Sequence, residues 1–108
     1  MKNFRIFSKG NGTLLFEGVF KTFRACLEKA VSEEIALAQA DLRFQNLTFA
    51  MLDGAQMPGA DFSSSNLTGA NLSECTMAQT HWAGADLTGA CLAYSDLRAA
   101  HFRQTKFG

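Results

Sequence analysis

The side chains best suited to chemistry in this sequence are two histidines, three cysteines and a set of aspartates. His81 and His101, with Arg103 nearby, could together hold an anion or a metal ion. Two imidazoles do not close a metal site, so the simpler account is a pair of solvated histidines. Cys91 could be a reactive thiol, but no basic partner adjoins it in sequence. Cys26 and Cys75 fall on apolar positions and read as core. Asp41, Asp61, Asp86 and Asp96 could pair as acid and base, yet nothing aligns them with a pocket. No Gly-rich phosphate loop, Ser/His/Asp set or metal-type cysteine spacing stands out. No catalytic, cofactor or metal site is therefore expected. The surface residues left for attention are His81, His101, Arg103 and Tyr94, with Met51 and Cys91 near Tyr94 as a mild apolar patch.

Composition narrows the classes further. The chain has 108 residues, about the size of one domain, and 47% hydrophobic residues. Ten basic side chains cancel ten acidic ones. Binding nucleic acid through phosphates needs a basic surface, so no direct nucleic-acid contact is expected. Three cysteines are an odd number, which suits a reduced setting. Met1-Lys2-Asn3-Phe4-Arg5 opens no run long enough for a secretory signal or a membrane span. A cytoplasmic protein without a membrane partner is the expectation.

The elements that must position these residues begin with a hairpin over 3–20. Phe4 and Ile6, then Leu14 and Phe16, alternate with polar neighbours. Lys9-Gly10-Asn11-Gly12 lies between them, and Asn-Gly tolerates positive φ. Gly18 marks either a bulge or a close backbone approach. A helix is expected over 22–34, with Thr22 as its N-cap. Phe23, Cys26, Leu27, Ala30 and Val31 fall on one face.

From Leu37 to Phe107 every fifth residue is large and apolar, fifteen times without a polar exception. Small residues, usually alanine, precede these by two: Ala40, Ala50, Ala60, Ala70 and onward. A straight α-helix turns about 100° per residue, so a period of five spreads these leucines all round it. A straight strand has period two, so an odd repeat flips the apolar residue at each step. Neither element gives the pattern one core, and the chain must turn once per repeat. Ala40-Asp41-Leu42 then reads in–out–in, with glycines such as Gly54, Gly59 and Gly69 suited to the corners. A lag of twenty residues gives coherent columns: Leu42, Phe62, Trp82 and Phe102; Thr48, Thr68 and Thr88; His81 and His101. Four repeats per turn give about three and a half coils, stacked at the sheet spacing of roughly 4.8 Å.

The run Ala40-Asp41-Leu42-Arg43-Phe44, repeated at Ala60-Asp61-Phe62, Ala70-Asn71-Leu72 and Ala85-Asp86-Leu87, resembles the pentapeptide-repeat proteins. The resemblance implies an all-β solenoid, a right-handed quadrilateral parallel β-helix. Here a β-hairpin and one capping α-helix (1–35) precede a β-helix over 36–108, as one compact unit. The leading segment also resembles one found before such repeats in some bacterial and phage-associated members. Gln45 departs from the pattern by replacing a small inward residue.

A stacked coil has two open ends. At the first, Phe23, Leu27 and Val31 of the helix are expected to cover the coil. Phe44 and Phe49 occupy corners and are expected to pack against that cap. At the last, Trp82, Phe102 and Phe107 are the candidate end for pairing of two chains into an end-to-end homodimer. The function expected is a non-enzymatic structural or protein-interaction module, presenting flat faces to a protein partner. The alternative comes through the resemblance, since some family members inhibit type II topoisomerases by mimicking duplex DNA. Neutral charge and a short array count against it.

Overall fold

The computed structural model describes residues 1–108. β1 (Lys2–Phe7) and β2 (Leu14–Phe20) form an antiparallel hairpin with Phe4 opposite Gly18 and Ile6 opposite Phe16. The pairing is regular at Gly18. There the Phe20 ring, two residues on in the same strand, lies 2.6 Å from where a β-carbon would stand, so the glycine makes room for a side chain and marks neither a bulge nor a close backbone approach. The register shift comes instead between Ile6 and Phe7, where Phe7 pairs with Leu14. Leu15 becomes the extra residue and packs against the core, while Leu14 is exposed. The loop closes with Ser8 N donating to Thr13 O (2.8 Å) and Gly12 N to Ser8 O (2.9 Å).

α1 (Phe23–Ser32) starts where expected. Thr22 is its N-cap, and its side chain accepts from the Ala25 amide at 3.1 Å. The helix stops at Ser32, with Glu34 in the left-handed region (φ 58°). Cys26, Leu27 and Ala30 are fully buried, and Phe23 and Val31 pack against the same core. Thr22→Ala is expected to cost about 1 kcal/mol, because one orphan amide of the first turn loses its acceptor. Thermal unfolding monitored by circular dichroism would register the loss.

The repeat region holds no extended strand; apart from an antiparallel bridge of Ala40 to Ser8, it has only single parallel bridges between residues twenty apart, such as Asp41 with Asp61. The bridges form four columns: Asp41, Asp61, His81, His101; Asn46, Asn66, Asp86, Lys106; Met51, Asn71, Cys91; and Gln56, Thr76, Asp96. Sequence reading anticipated three strand residues per side. One bridged residue is what fits, because a turn follows every five residues. Most turns are closed by an i to i+3 bond, as from Ala50 N to Leu47 O (3.0 Å). The third residue of each turn has positive φ, the mark of a type II turn. Glycine holds that place at Gly54, Gly59 and Gly69, but Phe44 (φ 61°), Gln79 (φ 62°) and Tyr94 (φ 60°) hold it too. A left-handed non-glycine residue costs about 1–2 kcal/mol, which the stacked hydrogen bonds must offset.

Gln45 marks a local irregularity. Its turn lacks the usual bond; the Ser65 hydroxyl accepts from Gln45 N (2.9 Å) and donates to Leu42 O in its place. Ser95 splices the turn at Cys75 in the same way. The outward Asx residues stabilise their own corners: Asn66 Oδ1 accepts from the amide (2.9 Å) and hydroxyl (2.6 Å) of Thr68. This is an Asx-turn, and it gives the Asp/Asn preference a physical cause.

Small and large apolar side chains fill the coil axis and continue without a break into Ile6, Cys26, Leu27 and Ala30. Trp82 is wholly buried, stacked on Phe62 (centroids 4.3 Å apart, planes 5° apart) and beneath Phe102 (6.0 Å, 11°). Its indole N–H donates to the Thr80 hydroxyl at 2.8 Å. Trp82 is therefore core and forms no part of an exposed end. Phe102 is half-buried and Phe107 is 55% exposed.

Candidate functional site

Two surface regions gather side chains that could bind something. The first lies on the Asp41 column, under the hairpin loop. Lys9 reaches from that loop to Asp61, whose side chain is 3% exposed. Burial pushes the Asp61 pKa up. The Lys9 ammonium and the Ser63 hydroxyl and amide pull it down further, so the net shift is downward. Asp41 is held low by a bidentate pair with Arg43 (2.9 and 3.0 Å), despite partial burial. Further along the column His81 and His101 stack, with ring centroids 5.2 Å apart and planes within 5°. They line an open groove of about 500 Å³ with Lys9, Gln39 and Gln79.

No cluster of three or more His, Cys, Asp or Glu side chains is assembled to hold a metal. The nearest carboxylate along the column, Asp61, is committed to Lys9 and to the Ser63 amide (2.9 Å). The structure thus unites His81 with His101 but brings neither Arg103 nor Tyr94 into the groove. Tyr94 is 90% exposed on another corner, in the register of Glu74, whose amide donates to Ala93 O (2.8 Å). Met51 and Cys91 do share a face, with Asn71 bridging between them. Cys91 is exposed, whereas burial raises the thiol pKa of Cys26 and Cys75.

The second region is the leading edge of the first coil. A first coil has no predecessor, so its outward amides and carbonyls need other partners. On the Asp41 face the hairpin supplies them: Asp41 N donates to Phe7 O (2.8 Å) and Lys9 N to Gln39 O (2.7 Å). On the Met51 face α1 side chains replace a strand. Glu28 accepts from Met51 N (2.8 Å), and Arg24 donates to Thr48 O (3.0 Å). On the Gln56 face the entering chain does the work, with Leu37 N donating to Gln56 O (2.9 Å). Sequence reading did not reveal these roles for Lys9, Arg24 and Glu28. The i,i+4 spacing of Arg24 and Glu28 pointed only to a weak surface pair, and that pair exists at 3.9 Å.

The Asn46 face is different. Neither the amide nor the carbonyl of Asn46 has a partner. A groove of about 440 Å³ lies above them, lined by Thr22, Phe23, Arg24, Gln45, Thr48 and Phe49. Phe44 and Phe49, expected to pack against the cap, are 75% and 65% exposed. The left-handed backbone at a corner directs the side chain away from the coil axis, so neither ring reaches the core. The Phe49 ring lies along the corner instead, over Gly69 of the next coil.

A family model for pentapeptide repeats matches residues 34–63 and 65–104, in eight copies. No curated protein matches the chain. Among solved structures it is similar to a pentapeptide repeat protein (Rfr23) from the cyanobacterium Cyanothece 51142. The identity is 24%, over 69% of this chain and 62% of that one, with a TM-score of 0.22. The chain therefore spans less than two thirds of that structure's length. The repeats imply a β-helix, in keeping with the bridges between residues twenty apart. The family match covers most of the array in which every fifth residue fills the axis, and the chain belongs to the pentapeptide-repeat family.

Proposed function

We propose that this chain is a non-enzymatic protein-interaction module, a right-handed four-faced β-helix that binds a protein partner beside its N-terminal cap. The observation that carries this reading is the grouping of exposed apolar side chains on one coil. Phe44, Phe49 and Met51 stand out around the first turn, next to Arg24 and Arg43. Aromatic, methionine and arginine side chains are enriched at the centres of protein interfaces. The rest of the array supports the same reading. Its axis is filled by side chains, its grooves are open to solvent, and its polar groups serve its own turns. The columns carry no continuous row of carboxylates of the kind a DNA mimic needs, since His81, His101 and Lys106 interrupt them.

The test is an affinity capture from the native host with the wild-type chain and a Phe44→Ser/Phe49→Ser double variant. Both positions are exposed, so the variant should fold. A partner retained by the wild type and lost from the variant is the expected outcome. Equal retention by both, or no specific retention by the wild type, overturns the reading.

A further inference from the structure

On three faces of the first coil's leading edge one of the two outward backbone groups is paired (Asp41 N, Met51 N and Gln56 O), and on the fourth neither is. The hairpin backbone, the Arg24 and Glu28 side chains, and the entering chain near Leu37 each stand in for a preceding coil. At Asn46 itself nothing does, and the nearest substitute is Arg24 on the following corner, at Thr48 O. One coil below, the equivalent residue shows what the position accepts. Asn66 N donates to Gln45 O (3.0 Å), and Asn66 O accepts from Leu47 N (2.7 Å). Asn46 presents the same donor and acceptor upward, without partners. The groove above them, about 440 Å³, lies within the ~300–1,000 Å³ typical of ligand sites. Phe23 and Phe49 supply apolar walls, and the Gln45 turn below is held open by the Ser65 hydroxyl.

We infer that this groove captures one extended peptide segment of a partner protein, added in parallel to the Asn46 edge. The segment replaces the missing strand: the carbonyl of one residue accepts from Asn46 N–H, and the amide two residues later donates to Asn46 C=O. Main-chain bonds of this kind give affinity, while side-chain pockets give selectivity. The occupant therefore carries a small residue, a polar one and a large apolar one in succession. The apolar side chain turns inward, as Leu47 does over Asn66, on the side of the groove walled by Phe23. The polar residue points outward, as Asn66 does. This inference deepens the interaction-module reading and rests on it.

A suitable probe is the synthetic peptide with the sequence Thr68–Ser73, capped at both ends. Within the chain its Ala70 O accepts from Cys91 N (2.9 Å) and its Leu72 N donates to Cys91 O (2.8 Å), the same pair of bonds, so the sequence is compatible with the geometry. Added to the ¹⁵N-labelled full chain up to about 1 mM, it should move the amide resonances of Asn46 and Leu47. Asn46→Pro, which removes the free N–H, should bind about fivefold more weakly than Asn46→Ala, which keeps it. The same peptide N-methylated at its leucine loses the donor to Asn46 C=O and should also bind more weakly. This comparison leaves the protein unaltered, so it decides the matter even where Asn46→Pro does not fold. An unmoved Asn46 amide at the highest concentration, or equal binding by the methylated peptide, overturns the inference. A native partner lost with Phe44→Ser/Phe49→Ser but kept by folded Asn46→Pro leaves the module reading intact and removes this groove from it.

Discussion

Trp82→Ala is expected to destabilise the chain by about 3–5 kcal/mol, the range for deleting a fully buried large aromatic side chain. Trp82 has no exposed surface, and its ring is stacked between Phe62 and Phe102. Removing it opens a void in the middle of the coil axis, with turn backbone on every side. Those turns are locked by hydrogen bonds to the coils before and after, so the walls cannot collapse to fill the space. Part of the loss, about 0.5–1.5 kcal/mol, is the stacking geometry itself. Trp82→Phe keeps a ring in the column and should lose much less. The Thr80 hydroxyl remains satisfied in that variant, because it donates to Met77 O (2.8 Å). Urea denaturation of the three proteins measures the difference. A loss below about 1 kcal/mol for Trp82→Ala would place the ring outside the packed core.

The second large effect concerns Lys9 and Asp61, and it depends on pH. In the native chain the Asp61 pKa lies below its ordinary value, even though burial alone would raise it. A depressed carboxyl pKa stabilises the fold above the unfolded value of about 3.9. That contribution is lost as pH falls through the lower, folded value. Asp61→Asn should therefore flatten part of the acid-induced loss of stability below about pH 4. Asp41, Asp86 and Asp96 are also held low, each chiefly by its own side-chain hydrogen bond, so they leave residual acid sensitivity in both proteins. The informative quantity is the difference between wild type and Asp61→Asn.

Lys9→Ala works in the opposite direction. It leaves a nearly buried carboxylate without its cation, at a cost of about 2 kcal/mol near neutral pH. That figure is less than for a fully buried pair because the lysine is half exposed. With the cation gone, burial is the largest remaining influence on Asp61, and its pKa should rise. The penalty should then shrink on acidification, as the carboxyl takes up a proton. Stability measured across pH 7 to pH 3 separates these two slopes. A Lys9→Ala penalty that stays constant with pH would show that the ion pair is not what holds the loop to the coil.

Much of the fold could be read from residue spacing. A period of five fits neither helix nor strand, so the chain had to turn at each repeat, and the lag of twenty placed Phe62, Trp82 and Phe102 in one column. Thr22 and the apolar stripe of Phe23, Cys26, Leu27, Ala30 and Val31 were equally legible, because capping and helical periodicity are local. The Gly18 position was recognised as special, but which device it served was not. It serves neither a bulge nor a close backbone approach, because the Phe20 ring of the same strand takes the space a β-carbon would need.

The binding regions were far less legible, for a physical reason. Repetition determines which residues fill the axis, since an apolar side chain every fifth residue has one place to go. The sequence alone therefore determined the coil, its core and its family. It did not determine how the first coil ends. That depends on three unlike pieces — hairpin backbone, helix side chains and the entering chain — meeting hydrogen-bonding groups far away in sequence. Lys9 to Asp61, Glu28 to Met51 and Arg24 to Thr48 are contacts between a non-repeating cap and a repeating coil, and no periodicity links them. Phe44 and Phe49 were noticed for the right reason, as aromatic residues at corners next to the cap, but were placed on the wrong side. Only the tertiary structure, through the left-handed backbone at each corner, turned them toward solvent and left Asn46 beside them with a free donor and acceptor.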